Sequence, residues 1–474
     1  MMATESTPAR RPTRAPSATA GKKEASDAKP GRADQRARLL EAIVEVVAQD
    51  GYSQTKICDL ARRADISRVT FYELFTNKED CFLAAYREQV DRMHDQIARA
   101  LAQTEPARAA QAALAALVEF ADREPLAFNF LTNQAVLAGA RALKERDSLM
   151  NRLQLSIERR WARAPADAPV LDMSAKLLLE GTTRLLGLKM CRERRISEGL
   201  VSDLLAWIDS YTAPPGPPRW RELVPDPLLL RTRAESSKAA PPHRPLPTGR
   251  RRLENEVARS IQHERIAYAT AEATRARGHA DITVADIVAT AGLSRDAFYA
   301  HFQDKEEAFD RTFKLVFEQL LASIGGAFFA CSGEWPDKIW EAGEALARSL
   351  ESDRTLAHFL PIGTHGPTAK LDHVNDLVLT FTLFLEDGYN YRRESAQVPR
   401  LVSNALICVI LEAVTFHIHH DRIDDARGLI PILVYLVLAP FMGTSDANEF
   451  VEAKTEAARD AAANRLGALL RPAT

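Results

Sequence analysis

The chain has few cysteines, little net charge and no long uninterrupted apolar run. Its five cysteines are scattered through 474 residues without a Cys-x-x-Cys pair, which argues against a disulfide framework or a structural zinc site. The net charge is −2, so nucleic-acid binding would require local basic patches. No apolar run reaches the roughly 18–20 residues that cross a bilayer, and no secretory signal opens the chain. These absences predict a cytoplasmic protein without a membrane partner.

Signatures of catalysis are also missing. The sequence contains no nucleophile elbow, no phosphate-binding loop and no recognisable pair of catalytic carboxylates. The string "HIHHD" contributes His417, His419 and His420, but no further ligand follows at a suitable spacing, and a polar helix end is the favoured interpretation. We therefore expect no enzyme activity, no cofactor and no metal site.

The composition predicts an all-α chain with several segments. Apolar residues recur at helical spacing, as in residues 37–51, and no sustained alternation of period two predicts a sheet. The longest apolar run, Leu429–Phe441, predicts a buried helix. Ten of the 25 prolines fall in residues 213–247 and indicate an extended linker. The predicted segments are a disordered basic arm (1–33), a first DNA-binding domain (34–80), a first helical ligand and dimerisation domain (81–212), the Pro-rich linker (213–247), a second DNA-binding domain (248–307) and a second helical ligand and dimerisation domain (308–474).

One peculiar string occurs twice. "SRVTFYELFTNKED" begins at Ser67, and "SRDAFYAHFQDKEE" begins at Ser294. Residues 51–79 and 278–306 align without a gap at an offset of 227, with ten of 29 positions identical. Near the end of each half a weaker match at an offset of 232 places Glu180 over Glu412. The chain is therefore predicted to contain two copies of one unit.

Each copy has the pattern of a helix-turn-helix. In the first copy, Thr55 or Lys56 begins a short helix and Ser67 caps the next one; Thr283 and Ser294 do the same in the second copy. Phenylalanines four residues apart in the second short helix are predicted to pack inward. The residues expected to face DNA are Thr55, Lys56, Ser67, Arg68, Val69, Thr70, Tyr72 and Lys78 in the first copy, and Thr283, Ser294, Arg295, Asp296, Ala297, Tyr299, His301 and Lys305 in the second.

The chain resembles two members of the TetR family of bacterial transcriptional regulators fused in tandem. The resemblance rests on Gly51, Ser67, Phe71, Tyr72, Phe75, Lys78 and Glu79, and on Gly278, Ser294, Phe298, Tyr299, Phe302, Lys305 and Glu306. It implies an all-α fold of two TetR-like units, each with a three-helix DNA-binding domain and a helical ligand and dimerisation domain. It also implies a double-stranded DNA operator and a small apolar effector. In such proteins two long helices of each subunit usually pair as a four-helix bundle.

The copies differ where bases would be read. Residues 51–79 carry five Lys or Arg against four Asp or Glu, whereas residues 278–306 carry two against five. Asp296 would meet phosphates unless it accepts from a cytosine amino group. Asp65 replaces Gly292 at the turn, and Asp tolerates left-handed geometry.

Two questions stay open at this point. Either both copies bind DNA in a ligand-responsive repressor, or only the first does and the second unit senses a small molecule or binds a protein. The units pair either within one chain as a pseudo-dimer or between two chains as a homodimer. No residue is assigned to a ligand pocket.

Overall fold

The computed structural model describes residues 31–165, 168, 170–193, 196, 198–213, 220–221, 255–279, 281–363 and 371–469. The predicted basic arm up to residue 30 and most of the predicted linker lie outside these ranges. The described fold is all-α, as predicted, apart from one short antiparallel pair in which β1 (Val170–Leu171) lies beside β2 (Thr212–Ala213).

Ten helices make up the first repeat unit within the described residues. They are α1 (Arg32–Asp50), α2 (Ile57–Arg63), α3 (Arg68–Leu74), α4 (Lys78–Ala102), α5 (Ala109–Arg123), α6 (Pro125–Asn133), α7 (Ala135–Ala138), α8 (Ala140–Trp161), α9 (Ala175–Glu193) and α10 (Glu198–Asp209). The first three form a helix-turn-helix head, and the long α4 connects this head to the helical body of the unit.

The second unit repeats this plan. Its described helices are α11 (Asn255–Arg277), α12 (Val284–Ala291), α13 (Arg295–Tyr299), α14 (Lys305–Ala330), α15 (Trp335–Ser352), α16 (Arg354–Gly363), α17 (Leu371–Thr382), α18 (Leu401–His419), α19 (Ile430–Met442) and α20 (Thr444–Leu469). Short 3-10 segments at Leu383–Asn390, Glu394–Gln397 and Ile423–Leu429 join the helices of the body.

The two units pack against each other within one chain. Helix α9 of the first unit lies against α18 of the second, and α10 also contacts α18. The hydroxyl of Tyr211 donates to the carbonyl of Leu436 at 2.8 Å, and the hydroxyl of Tyr435 donates to the carboxylate of Asp172 at 2.9 Å. These contacts bury polar groups of both units together, so the structure has the arrangement of an intramolecular pseudo-dimer.

Three helical segments correct the expectation that no stretch is long and apolar enough to cross a bilayer. By length and composition alone, Lys305–Ala330, Leu401–His419 and Ile423–Met442 qualify. In the second and third segments, 83% and 72% of the apolar window is buried inside the protein, against 28% in the first. The run Leu429–Phe441 falls in α19, whose side chains are almost all buried, as predicted. Tertiary packing therefore covers most of the apolar surface of α18 and α19.

Candidate nucleic-acid interface

The first head is a helix-turn-helix whose turn depends on Asp65. Helix α2 ends at Arg63, and Asp65 then adopts a left-handed conformation with a φ of 51°. A residue of this type is tolerated there because a short polar side chain enters the left-handed region at modest cost. Arg38 Nη1 of α1 lies 3.7 Å from the Asp65 carboxylate. The predicted turn geometry is thus confirmed, with α1 supporting it.

Helix α3 has one buried and one exposed face. Phe71 and Phe75 are buried, and the Ser67 hydroxyl accepts the backbone N–H of Thr70, as predicted. On the other face, Val69 is 68% exposed and Tyr72 is 53% exposed. Singly exposed apolar side chains occur elsewhere on the protein, for example at Phe329 and Leu383, but here two of them lie on one face of a short helix. Together with exposed Arg68, they form a compact outward surface at the start of the helix.

The second head repeats this geometry with different chemistry. Gly292 takes the left-handed position of Asp65, with a φ of 63°, and the Ser294 hydroxyl accepts the backbone N–H of Ala297. Tyr299 is 57% exposed, which matches its counterpart Tyr72. Arg295 and Asp296 are also exposed, whereas Ala297 is half-buried. The outward surface of α13 therefore carries a carboxylate where α3 carries an apolar side chain.

The two lysines expected to bind phosphate are engaged with the protein. The Lys78 ammonium donates to the carbonyls of Tyr52 and Thr55 at 2.8 and 3.0 Å and lies 4.2 Å from the centre of the Tyr52 ring. Burial lowers the pKa of Lys78, and the carboxylate of Asp281 in the second head opposes this effect. Lys305 donates to the carbonyl of Ile282 at 3.0 Å. In each head the ammonium group therefore stabilises the loop between the first and second helices by hydrogen bonds to its backbone carbonyls.

Three further predicted contact residues have internal partners. Thr55 is buried and its hydroxyl donates to the carbonyl of Gly51 at 2.8 Å, so it faces the interior and not a ligand. Thr283 forms a capping box with Asp286 at the start of α12. The ring of His301 lies 3.1 Å from the amide oxygen of Gln262, and burial lowers its pKa. Lys56, by contrast, is exposed at the start of α2.

One arginine on the first helix of each head contacts the turn of that head. The sequence pattern did not predict this role. Arg265, which aligns with Arg38 at the offset of 227, donates to the carbonyl of Ala291 at 2.5 Å and so holds the second turn. Each of the two arginines lies 13 residues before the glycine that opens its repeat, Gly51 or Gly278, so the repeat itself marks them as equivalent.

The second unit contains an apolar cavity of about 110 Å³. Residues from α14, α15, α18 and α19 line it, among them Leu320, Gly343, Ile407, Val414 and Val437. All its lining side chains are apolar, including those of Phe381 and Phe384. Apolar cavities of this order stay dry and accept small apolar molecules. The candidate pocket is therefore suited to a ligand, or part of one, that has no polar groups.

The two heads coincide with matches to one family. The sequence profile described as "Bacterial regulatory proteins, tetR family" matches residues 39–85 and again residues 266–312. Both heads of the chain therefore carry the DNA-binding domain of the TetR family. Each match covers most of a helix-turn-helix head and the start of the long helix after it, so this TetR-family protein carries two units in tandem.

Relatives of this TetR-family protein are named as regulators. It is 33% identical over 64 residues to the "Fatty acid metabolism regulator protein" of Bacillus subtilis (strain 168), a match that covers 13% of this chain and 33% of that protein. It is 26% identical over 179 residues to the "HTH-type transcriptional repressor KstR" of Rhodococcus jostii (strain RHA1), covering 37% and 73% of the two chains. The solved structure of the fatty acid degradation regulator FadR from Bacillus halodurans aligns with a TM-score of 0.34 and 18% identity over 37% of this chain and 94% of that one.

The family and the names of its relatives determine the class of activity. The relative over the short alignment is named as a metabolism regulator, and the relative over the longer alignment is named as a transcriptional repressor. The exposed faces of α3 and α13 occupy the place of a recognition helix in a helix-turn-helix. The tandem TetR-family protein is accordingly a DNA-binding transcriptional regulator.

Proposed function

We propose that the protein is a ligand-responsive repressor that reads one asymmetric operator with two non-identical heads. The observation that carries this proposal is the presence of two equivalent, exposed recognition helices, α3 and α13, on units that pack against each other in one chain. The proposed division of labour follows the predicted segments, with DNA-binding domains at 34–80 and 248–307 and helical bodies at 81–212 and 308–474.

Asymmetry of the operator follows from the difference between the two exposed faces. A homodimer presents two identical heads and reads a palindrome, because the symmetry of the protein is matched by that of its site. Here Val69 and Thr70 of α3 correspond to Asp296 and Ala297 of α13. An aspartate accepts from the amino group of cytosine, whereas valine contacts a thymine methyl group. The two half-sites are therefore proposed to differ in sequence.

Ligand response is proposed from the position of the cavity. Helix α18 lines the cavity with Ile407 and Val414, and the same helix packs on α9 of the first unit. A molecule that enlarges the cavity would displace α18 and so change how the units are paired. We propose a small apolar effector, for example a hydrocarbon or acyl chain. The name of the Bacillus subtilis relative, a fatty acid metabolism regulator, supports this class.

Selection of bound sequences from random DNA tests the two-headed proposal. We expect an enriched site with two different half-sites separated by about one helical turn. In a gel shift on that site, Tyr72→Ala and Tyr299→Ala should each weaken binding. Enrichment of a single half-site, together with wild-type affinity of the Tyr299→Ala variant, would refute the two-headed version.

A second candidate function is favoured by Asp296 and by the acidic balance of residues 278–306. In this alternative only the first head binds DNA, and the second unit is a sensing or interaction module. The full-length variant Arg68→Ala/Tyr72→Ala distinguishes the two. If the second head reads DNA, this variant keeps sequence-selective, salt-dependent binding to the second half-site. If it does not, only weak non-selective binding is left.

A further inference from the structure

A carboxylate of the second unit is neutralised by cations of the first. Glu412 of α18 is 1% exposed. Arg146 of α8 donates to one of its carboxylate oxygens, and Nη1 of Arg184 in α9 lies 3.6 Å from the other. Removing one partner of a buried ion pair is strongly destabilising, because the other charge is left without compensation. The pairing of the two units therefore depends on complementary charges.

The repeat counterpart of Glu412 has no such partners. Glu180 is also 1% exposed, yet neither of its carboxylate oxygens has a hydrogen-bond partner among the described residues. Burial raises the pKa of Glu180 to about 7; Arg146 and Lys176 act in the opposite direction, whereas Glu412 and Asp147 add to the increase. At one position the cause of this difference is visible in the sequence. Arg184 of α9 lies beside Glu412, whereas its counterpart in α18 at the offset of 232 is Phe416, which has no charge to offer Glu180.

Two further charged groups of the first unit, Lys176 and Asp147, lie at this interface. The Lys176 ammonium of α9 donates to the side-chain oxygen of Asn151 at 2.9 Å and lies 3.9 Å from the centre of the Phe416 ring. Asp147 of α8 lies 3.4 Å from His420, which follows α18. The first unit thus supplies two arginines, a lysine and Asp147, and the second supplies Glu412, the Phe416 ring and His420.

Packing gives an independent sign of the same asymmetry. Gly181 of α9 lies so close to α18 that a Cβ atom there would be 2.0 Å from Cγ2 of Val409. The counterpart of Gly181 in the second unit is Ala413, which has a Cβ atom. Glycine is used where backbones approach closely. Only the first unit therefore offers the gap into which Val409 fits.

We propose that α9 and α18 form a heterotypic interface, in which the surface of the first unit fits the second unit and not a second copy of itself. A symmetric α18–α18 pair would place Phe416 where Arg184 reaches Glu412, and Ala413 where Gly181 admits Val409. A symmetric α9–α9 pair would place Arg184 over Lys176, in the position of the Phe416 ring. Unpaired carboxylates act against the α18–α18 pair, and buried like charges act against the α9–α9 pair. A first unit therefore selects a second unit, and the linker makes the one in its own chain the favoured partner.

The test uses the whole chain, with a protease site inserted between residues 222 and 250 and cleaved after purification. Analytical ultracentrifugation then measures how the two fragments associate. We expect the wild-type fragments to form a 1:1 complex. Glu412→Gln should raise the dissociation constant by about 100-fold or more, because Arg146 and Arg184 lose the buried carboxylate that the second unit places between them. The matched control Glu180→Gln, at the equivalent position and with equal burial, should leave association unchanged or make it tighter.

A second variant separates pairing from folding. Gly181→Ala places a Cβ atom against Val409 but makes α9 a better helix, because alanine favours helix over glycine. It should weaken association while circular dichroism shows full helicity. The proposal is overturned if wild-type fragments separate into two homodimers, if Glu412→Gln and Glu180→Gln give equal dissociation constants in folded fragments, or if Gly181→Ala associates like the wild type.

Discussion

The two helix-turn-helix heads differ in how their cores join the rest of the molecule. Phe71 of the first head belongs to a continuous cluster of buried apolar residues that runs through the helical bodies of both units. Phe298, its counterpart, belongs to a separate cluster that includes Ile266, Ile287 and Phe302. The same local sequence pattern therefore builds one head that is integrated with the body and one that has a core of its own. Two heads with the same sequence pattern can therefore differ in how their cores join the core of the helical bodies.

The largest expected loss of stability comes from removing one buried ring from the core of each head, at equivalent positions. Phe71→Ala and Phe298→Ala each remove a fully buried ring and should cost about 3–5 kcal/mol of stability. Because Phe71 lies in the shared cluster, its loss should lower protection from hydrogen exchange in both bodies. Loss of Phe298 should reduce protection mainly in α11–α14, the helices that share its cluster. Equal patterns of exchange in the two variants would contradict the difference between the heads.

The two buried glutamates, Glu180 and Glu412, should contribute differently to the pH dependence of stability. Glu180 has a pKa raised to about 7 in the folded protein, against about 4.5 when unfolded. Between these values the unfolded chain loses the proton and the folded chain keeps it, so this group lowers the free energy of unfolding as the pH rises from about 4.5 to 7. The loss should be about 3 kcal/mol, since one pKa unit is worth about 1.4 kcal/mol.

Denaturation with urea across this pH range measures the effect. Glu180→Gln should flatten the pH dependence and raise stability at pH 7. Glu412→Gln, the control, should lower stability at all these pH values because Arg146 and Arg184 lose their partner. If Glu180→Gln has the wild-type pH dependence, Glu180 is not the group responsible.

Exchange of the exposed residues between the recognition helices gives a smaller effect. Val69→Asp copies Asp296 into the first head and should weaken binding to the first half-site by about 1–3 kcal/mol, roughly 10–100-fold. Val69→Ala, which removes contact area without adding charge, should cost less. Fluorescence anisotropy on labelled operator DNA at fixed salt measures both. An unchanged affinity of Val69→Asp would show that this face of α3 does not approach DNA.

The smallest effect on DNA binding is expected at two lysines of the first head. Lys78→Met removes two hydrogen bonds to backbone carbonyls and should cost about 1–3 kcal/mol of stability, with no change in the salt dependence of DNA affinity. Lys56→Met should leave stability unchanged and reduce the slope of log affinity against log salt by about 1, as expected for one phosphate contact. The reverse result would restore Lys78 as a phosphate ligand.

Local features of the heads could be predicted from the sequence. These features depend on a few neighbouring residues: the caps at Ser67 and Ser294, the inward phenylalanines and the left-handed turn at Asp65. The same pattern occurs twice in the chain, which makes a chance match less plausible. The roles of Lys78 and Thr55 could not be predicted, because they depend on where the loop after α1 lies relative to α4. The contacts of Glu412 and the apolar cavity depend on packing between helices that are distant in the chain.

The separate core of the second head also has a consequence for the evolution of the protein. A substitution inside that cluster disturbs packing mainly within α11–α14, and it reaches the body of the second unit through the packing of α11 on α16. Such a module can accumulate changes, Asp296 among them, while the rest of the chain keeps its stability. The first head has less of this freedom, because a change near Phe71 is felt throughout the main core. After duplication, the second head is therefore the copy in which a new binding preference arises at the lower cost.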